Sequence, residues 1–323
     1  GRAVELLEQA VVLDAGFARG WAMLAAARGI LGYYDIDIGL EHTLAITIDA
    51  AERALALDPQ AGEAYAVRGL TAIHQGRYQT AVALLARSIK LTPSFAQAYS
   101  WQAGALRNVG QWEEAERVNH QALELDPYSY FSIAYLAFHF LAEGRTGEAS
   151  ELLQAKLAMD TNLSITHIEL GNLALAQGDW AAAYAHYAHV VGDDQAALAL
   201  LGEVFSALDG RGSKAEVAQL VTQQMYDALS PSAMSIRAFE AVVMTLIALG
   251  EMDAALSYIE QIAAMPAGKL RWRLAGFSLS SINVGQLRCE PRFQAVMTAN
   301  GLVDGLAERI CAKDPGESLP VQP

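Results

Sequence analysis

Cysteine, proline and positive charge are all scarce in this chain. Two cysteines and nine prolines occur in 323 residues, and 22 lysines and arginines stand against 36 aspartates and glutamates, for a net charge of −14. Two cysteines in so long a chain exclude a disulfide framework, and Cys289 and Cys311 read as unpaired thiols of a reducing compartment, which places the chain in the cytoplasm. Binding to phosphate backbones needs clustered lysine and arginine. Here the basic residues are scattered one or two per segment, so direct nucleic-acid binding by this region is not expected. The uncharged stretch Pro127 to Ala142 carries His139 and serines and is too short to cross a bilayer, so no membrane partner is expected either. Few prolines and an apolar content of 53% leave room for many uninterrupted helices sharing a continuous core.

Catalytic signatures are missing as well. His167-Ile168-Glu169 matches the opening of a zinc-deaminase motif, but no Pro-Cys-x-x-Cys follows to supply the remaining ligands. Gly210-Arg211-Gly212-Ser213-Lys214 has the residue types of a phosphate loop without its spacing or its preceding strand, and it reads as a turn. His186 and His189 lie one helical turn apart and could hold a metal with a third ligand. With no Cys, Asp or Glu in register, a solvated helix face is the expected reading. Asp35 and Asp37 lack the further oxygen ligands of a calcium loop. Glu113, Glu114 and Glu116 open a helix, where negative charge complements the macrodipole. No cofactor is implied, and the expectation is a non-enzyme.

What is present is a period. Gly76, Gly110, Gly144, Gly178 and Gly212 fall 34 residues apart, and Asp58, Thr92, Asp126, Asp160 and Asp194 keep the same beat. So do Ala81, Ala115, Ala149 and Ala183, small residues that suit the close crossing of two helices. Leu57-Asp58-Pro59, Leu91-Thr92-Pro93 and Leu125-Asp126-Pro127 close successive units, proline marking the junction because its fixed φ suits a first turn. In the best-formed unit Tyr65 opens the first helix, Gly69 admits the second, and Gly76 with Tyr78 makes the turn.

A period of 34 residues with these signals resembles the tetratricopeptide-repeat family across residues 1 to 264. The resemblance implies an all-α right-handed superhelical solenoid of six to seven antiparallel helix pairs that binds protein or peptide. After Asp126 the closing proline is lost, and an insertion of about ten residues is expected near 33–42. Arg2 to Leu13 reads as the second helix of a unit, packing through Ala3, Leu7 and Ala10, so the native polypeptide is expected to continue upstream. Residues 265–310 form an expected helical cap and 311–323 a disordered tail.

Within the cap, Leu287-Arg288-Cys289-Glu290-Pro291-Arg292-Phe293-Gln294 with Gly301-Leu302 resembles the ending of tetratricopeptide regions in bacterial signalling proteins, among them class III adenylate cyclases and winged-helix regulators. Glu290 stands where those have aspartate. This implies the sensory or interaction region of a larger protein with an upstream effector domain. A free-standing assembly or secretion adaptor and an enzyme site around His139, Arg271, Trp272 and Arg273 are the alternatives. In the family the first helix of each unit lines the concave groove, which here implies His74, Gln97, Ser100, Arg107, Asn108, Phe131, Phe138 and Asn172, with Glu63, Leu70, Ile73 and Leu141 beside them. The lysine and asparagine set by which some members hold chaperone C-termini is absent, so that role does not carry over.

Overall fold

A computed structural model describes residues 2–34, 40–142, 145–159, 164–228, 236–264, 287, 289–299 and 311. Among these residues there are helices and turns and no strand. The chain divides into two compact units, Gly1–Tyr135 and Leu136–Pro323.

The first unit begins with α1 (Arg2–Leu13), which lies on α2 (Ala18–Tyr34). Hairpins follow: α2 with α3 (Leu40–Leu57), α4 (Gly62–His74) with α5 (Tyr78–Leu91), and α6 (Ala96–Asn108) with α7 (Trp112–Leu125). The first helices α2, α4 and α6 pack side by side, so each hairpin stacks on the next. Small residues set that spacing. Ala81 and Ala115 are buried at the crossings, and a Cβ on Gly69 would come within 2.5 Å of Leu85 Cγ, so only glycine fits there. Tyr65 and Tyr99 each donate a hydroxyl hydrogen bond to the junction prolines, Pro59 O at 3.2 Å and Pro93 O at 3.0 Å. The junction aspartates close turns on the following backbone: Gln60 N donates to Asp58 Oδ1 and Tyr128 N to Asp126 Oδ1.

Helix α8 (Tyr130–Ala142) contains the boundary between the units. The second unit continues with α9 (Thr146–Met159), α10 (Ser164–Ala176), α11 (Trp180–Val191), α12 (Gln195–Leu208), α13 (Lys214–Ala228), α14 (Ile236–Ala248) and α15 (Met252–Ala263). Ala149, Ala183 and Ala255 are all buried, as the crossing positions require. Asp194 caps α12 by accepting from Ala196 N and Ala197 N, so the junction holds without a proline. Helix α16 (Pro291–Ala299) packs on α15 and inserts Phe293 and Met297 into the unit's core, where Leu287 is also buried.

The period misplaces several details. The left-handed turn glycine after α12 is Gly210, at φ +79°, and not Gly212. It follows the helix end by the same two residues as Gly76, Gly110, Gly178 and Gly250, because the carbonyls of a last helical turn are met by a residue at positive φ. Gly144 lies outside the described residues. Much of the extra length before Gly76 is helical. Helices α2 and α3 run 17 and 18 residues against 13 and 14 in α4 and α5, while 35–39 lie outside the described residues. In α1 the packing face is Val4, Leu7, Ala10 and Val11, and Ala3 is exposed.

The cysteines are also paired, against the expectation of free thiols. Cys289 and Cys311 form a disulfide with their Cα atoms 5.5 Å apart, and Cys311 is helical. Two cysteines 22 residues apart give no sequence cue to pairing; the fold brings them together. The remainder of the expected cap and the tail from 312 onward lie outside the described residues.

Candidate functional site

In the first unit the groove-lining set separates into buried and half-buried members. His74, Ser100, Arg107 and Asn108 are buried; Gln97 and Phe131 are half-buried. The buried polar groups have work within the fold. Ser100 Oγ and Ser132 Oγ share a hydrogen bond at 2.5 Å, and Asn108 Nδ2 donates to Gly104 O at 2.9 Å. Arg107 Nη1 donates to Tyr135 O at 3.2 Å while its guanidinium carbon lies 5.0 Å from the centroid of the Tyr135 ring. Burial strips the hydration that a charged imidazole needs and lowers the His74 pKa to about 4, so His74 is neutral at pH 7.

Glu63, Gln97 and Phe131 stand at the second position of α4, α6 and α8, a row one residue wide across three stacked first helices. Arg19 Nε reaches Glu63 Oε1 at 3.5 Å, and Thr92 Oγ1 donates to Glu63 Oε2 at 3.4 Å. Gln97 Nε2, by contrast, is shielded from water and makes no hydrogen bond. A buried unpaired donor costs about 1–3 kcal/mol, so an acceptor brought by a ligand would be rewarded at this point. The row thus presents an engaged carboxylate, an unsatisfied amide and a half-buried ring.

In the second unit Asn172 is buried and its Oδ1 accepts from the Tyr187 hydroxyl at 2.5 Å; burial pushes that phenol's pKa up. The side chain of Phe138 lies outside the described residues, as do Arg271, Trp272 and Arg273. His139 is buried.

Two clusters in this unit escape sequence reasoning. Lys156 of α9 and Glu169 of α10 form an ion pair at 2.6 Å with each side chain 1% exposed. Glu169 Oε1 is left without a hydrogen bond. His167 of α10 joins His186 and His189 of α11: His167 Nδ1 is 3.0 Å from His186 Nδ1, and the His167 and His189 rings stack at 3.8 Å. One of the two Nδ1 atoms is therefore a donor and the other an acceptor. Burial, followed by the two neighbouring imidazoles, lowers the His186 pKa. Parallel stacking does not aim three ring nitrogens at one point, and among the described residues no group of three or more such side chains has the arrangement of a metal site. The i, i+3 pair at 186 and 189 was visible in sequence, but nothing marked His167 as its neighbour.

Stacked antiparallel helix pairs of fixed length, crossing at small residues and turning at left-handed glycines, define an α-solenoid repeat protein. By repeat length and hairpin architecture the chain has the fold of tetratricopeptide-repeat solenoids. No protein-family profile matches it. Among curated proteins, 139 residues are 34% identical to the cytochrome c-type biogenesis protein CycH of Rhizobium meliloti, covering 41% of this chain and 35% of that one. A segment of 78 residues is 33% identical to the tetratricopeptide repeat and J domain-containing co-chaperone DNJ1 of Fusarium oxysporum f. sp. lycopersici, covering 24% and 15%. The chain therefore matches about a third or less of the length of these relatives. A tetratricopeptide repeat protein from Parabacteroides merdae shares the fold, with a TM-score of 0.51 and 11% identity over 79% of this chain and 98% of that one.

Proposed function

We infer that the chain is a protein- or peptide-binding scaffold without catalytic activity of its own, and that its recognition surface includes the row of Gln97 and Phe131. The unsatisfied Gln97 donor, with a half-buried ring at the same position of the next first helix, carries this reading, because an extended peptide supplies both a backbone carbonyl and an apolar side chain. The net charge of −14 favours a partner of basic character and disfavours nucleic acid. The test is to capture partners from a lysate of the source cells, identify one, and measure its affinity for the purified chain. Replacing Gln97 and Phe131 together by alanine is expected to weaken binding about tenfold or more. Unchanged affinity in the double variant contradicts the assignment.

The host context supported by the C-terminal signature is a larger bacterial signalling or regulatory protein with an upstream effector domain. An assembly or biogenesis adaptor is the second reading, favoured by the likeness to a protein named for cytochrome c biogenesis. Reading the parent gene upstream of Gly1 separates the two. Among the described residues no helix is long and apolar enough to cross a membrane. The cytoplasmic placement rested on unpaired thiols, and the Cys289–Cys311 pair removes that support; a compartment that sustains disulfides fits the pair better.

A further inference from the structure

The terminal helix α16 is fastened to the array by two unlike devices and bracketed by a third. Phe293 and Met297 enter the core that α15 lines with Leu256, Ile259 and Ile262. Arg292 forks onto α15, its Nε and Nη2 donating to Glu260 at 2.8 and 2.7 Å, with Nη1 reaching Asp253 at 3.1 Å and Nη2 reaching Ser257 at 3.2 Å. The third is the Cys289–Cys311 disulfide, which ties the chain just before α16 to the chain after it. Both of its cysteines are exposed, whereas the neighbouring Leu287 and Phe293 are buried. A structural disulfide that is simply part of a core is shielded from thiols; this one is presented to them.

We propose that Cys289–Cys311 is a thiol-exchange site, a redox clasp whose reduction by a dithiol loosens α16 from the last hairpin. The chemistry balances as an exchange. A thiolate of the dithiol attacks one cysteine sulfur, the Cys289–Cys311 bond breaks, and a mixed disulfide forms as the other cysteine leaves as a thiolate. The second thiol of the reductant then attacks the mixed disulfide and releases the remaining cysteine. Two electrons and two protons pass to the protein, and the dithiol ends as a disulfide. Opening the loop restores chain freedom on the unfastened side, while Arg292 and Phe293 still favour the docked helix. The reduced state therefore has a helix that undocks more often, uncovering the apolar face of α15 each time it does so.

The experiment uses the full chain, alkylation with mass analysis and amide hydrogen exchange, all without denaturant. Unreduced protein should take up no iodoacetamide, and brief dithiothreitol treatment should expose two alkylatable cysteines. On reduction the amides of residues 291–299 should exchange about tenfold faster or more, with α4 to α7 unchanged as the control against global unfolding. A Cys289→Ser/Cys311→Ser variant should show the fast exchange with or without dithiothreitol. Two cysteines alkylated before reduction, resistance of the folded protein to dithiothreitol, or exchange across 291–299 indifferent to reduction and to the double substitution would each overturn the proposal.

Discussion

Ser88 and Trp101, Ala122 and Tyr135, and Lys156 and Glu169 occupy one pair of positions in three consecutive repeats, each pair 34 residues beyond the last. In the first unit these positions hold a small residue and a large aromatic; in the second they hold a buried ion pair. The period thus fixes the positions and leaves open what chemistry fills them. The two solutions fail differently. An apolar joint loses contacts in proportion to the volume removed, whereas removing one half of a buried ion pair strands the other charge.

Lys156→Ala should destabilise the second unit by about 3–5 kcal/mol in denaturant unfolding, since Glu169 would stay buried without its counter-charge. Lys156→Ala with Glu169→Tyr, which installs the preceding repeat's joint, should recover most of that loss. A double variant as unstable as the single one would show that the two joints are not interchangeable.

The next effect belongs to the first unit and is read against pH. His74 holds a pKa of about 4 in the fold against an ordinary value of 6.5, so below pH 6.5 the unfolded chain takes up the proton first. The associated stability is intact above 6.5, falls as pH drops toward 4, and should amount to about 2–3 kcal/mol between pH 7 and 4.5. In His74→Gln this part of the pH dependence should vanish from the unfolding midpoints; a profile identical to that of the unsubstituted chain would contradict it.

Smaller effects should be shared by both units. Ala115→Leu in the first and Ala149→Leu in the second each enlarge a buried crossing and should cost about 1–3 kcal/mol by thermal or chemical melting. An unchanged melting temperature in either would mean that the crossing tolerates volume there. Asp194→Ala removes the side chain that caps α12 and should cost about 1 kcal/mol, detectable as faster amide exchange in the first turn of that helix.

The parts of the fold legible in sequence were those repeated at fixed spacing. Crossing alanines, turn glycines and junction aspartates each have a local cause that recurs, so the period exposes them. Gly212 shows the limit, because it keeps the beat while Gly210 holds the left-handed turn. Features made by one residue meeting a distant one left no periodic trace: the Cys289–Cys311 bond and His167 against His186. The candidate site was legible as a helix face and not as a surface. Position along a first helix implied both Gln97 and Arg107, but a groove position does not tell whether the side chain is drawn under its neighbours, as Arg107 is by Tyr135.

Recognition of a partner at Gln97 and Phe131, as proposed, is measured by amide hydrogen exchange of the chain with and without an identified partner. Slowed exchange should concentrate in the first turns of α6 and α8 and disappear when Gln97 and Phe131 are alanine. Protection confined to the second helices α5 and α7, with α6 and α8 unchanged, would contradict it.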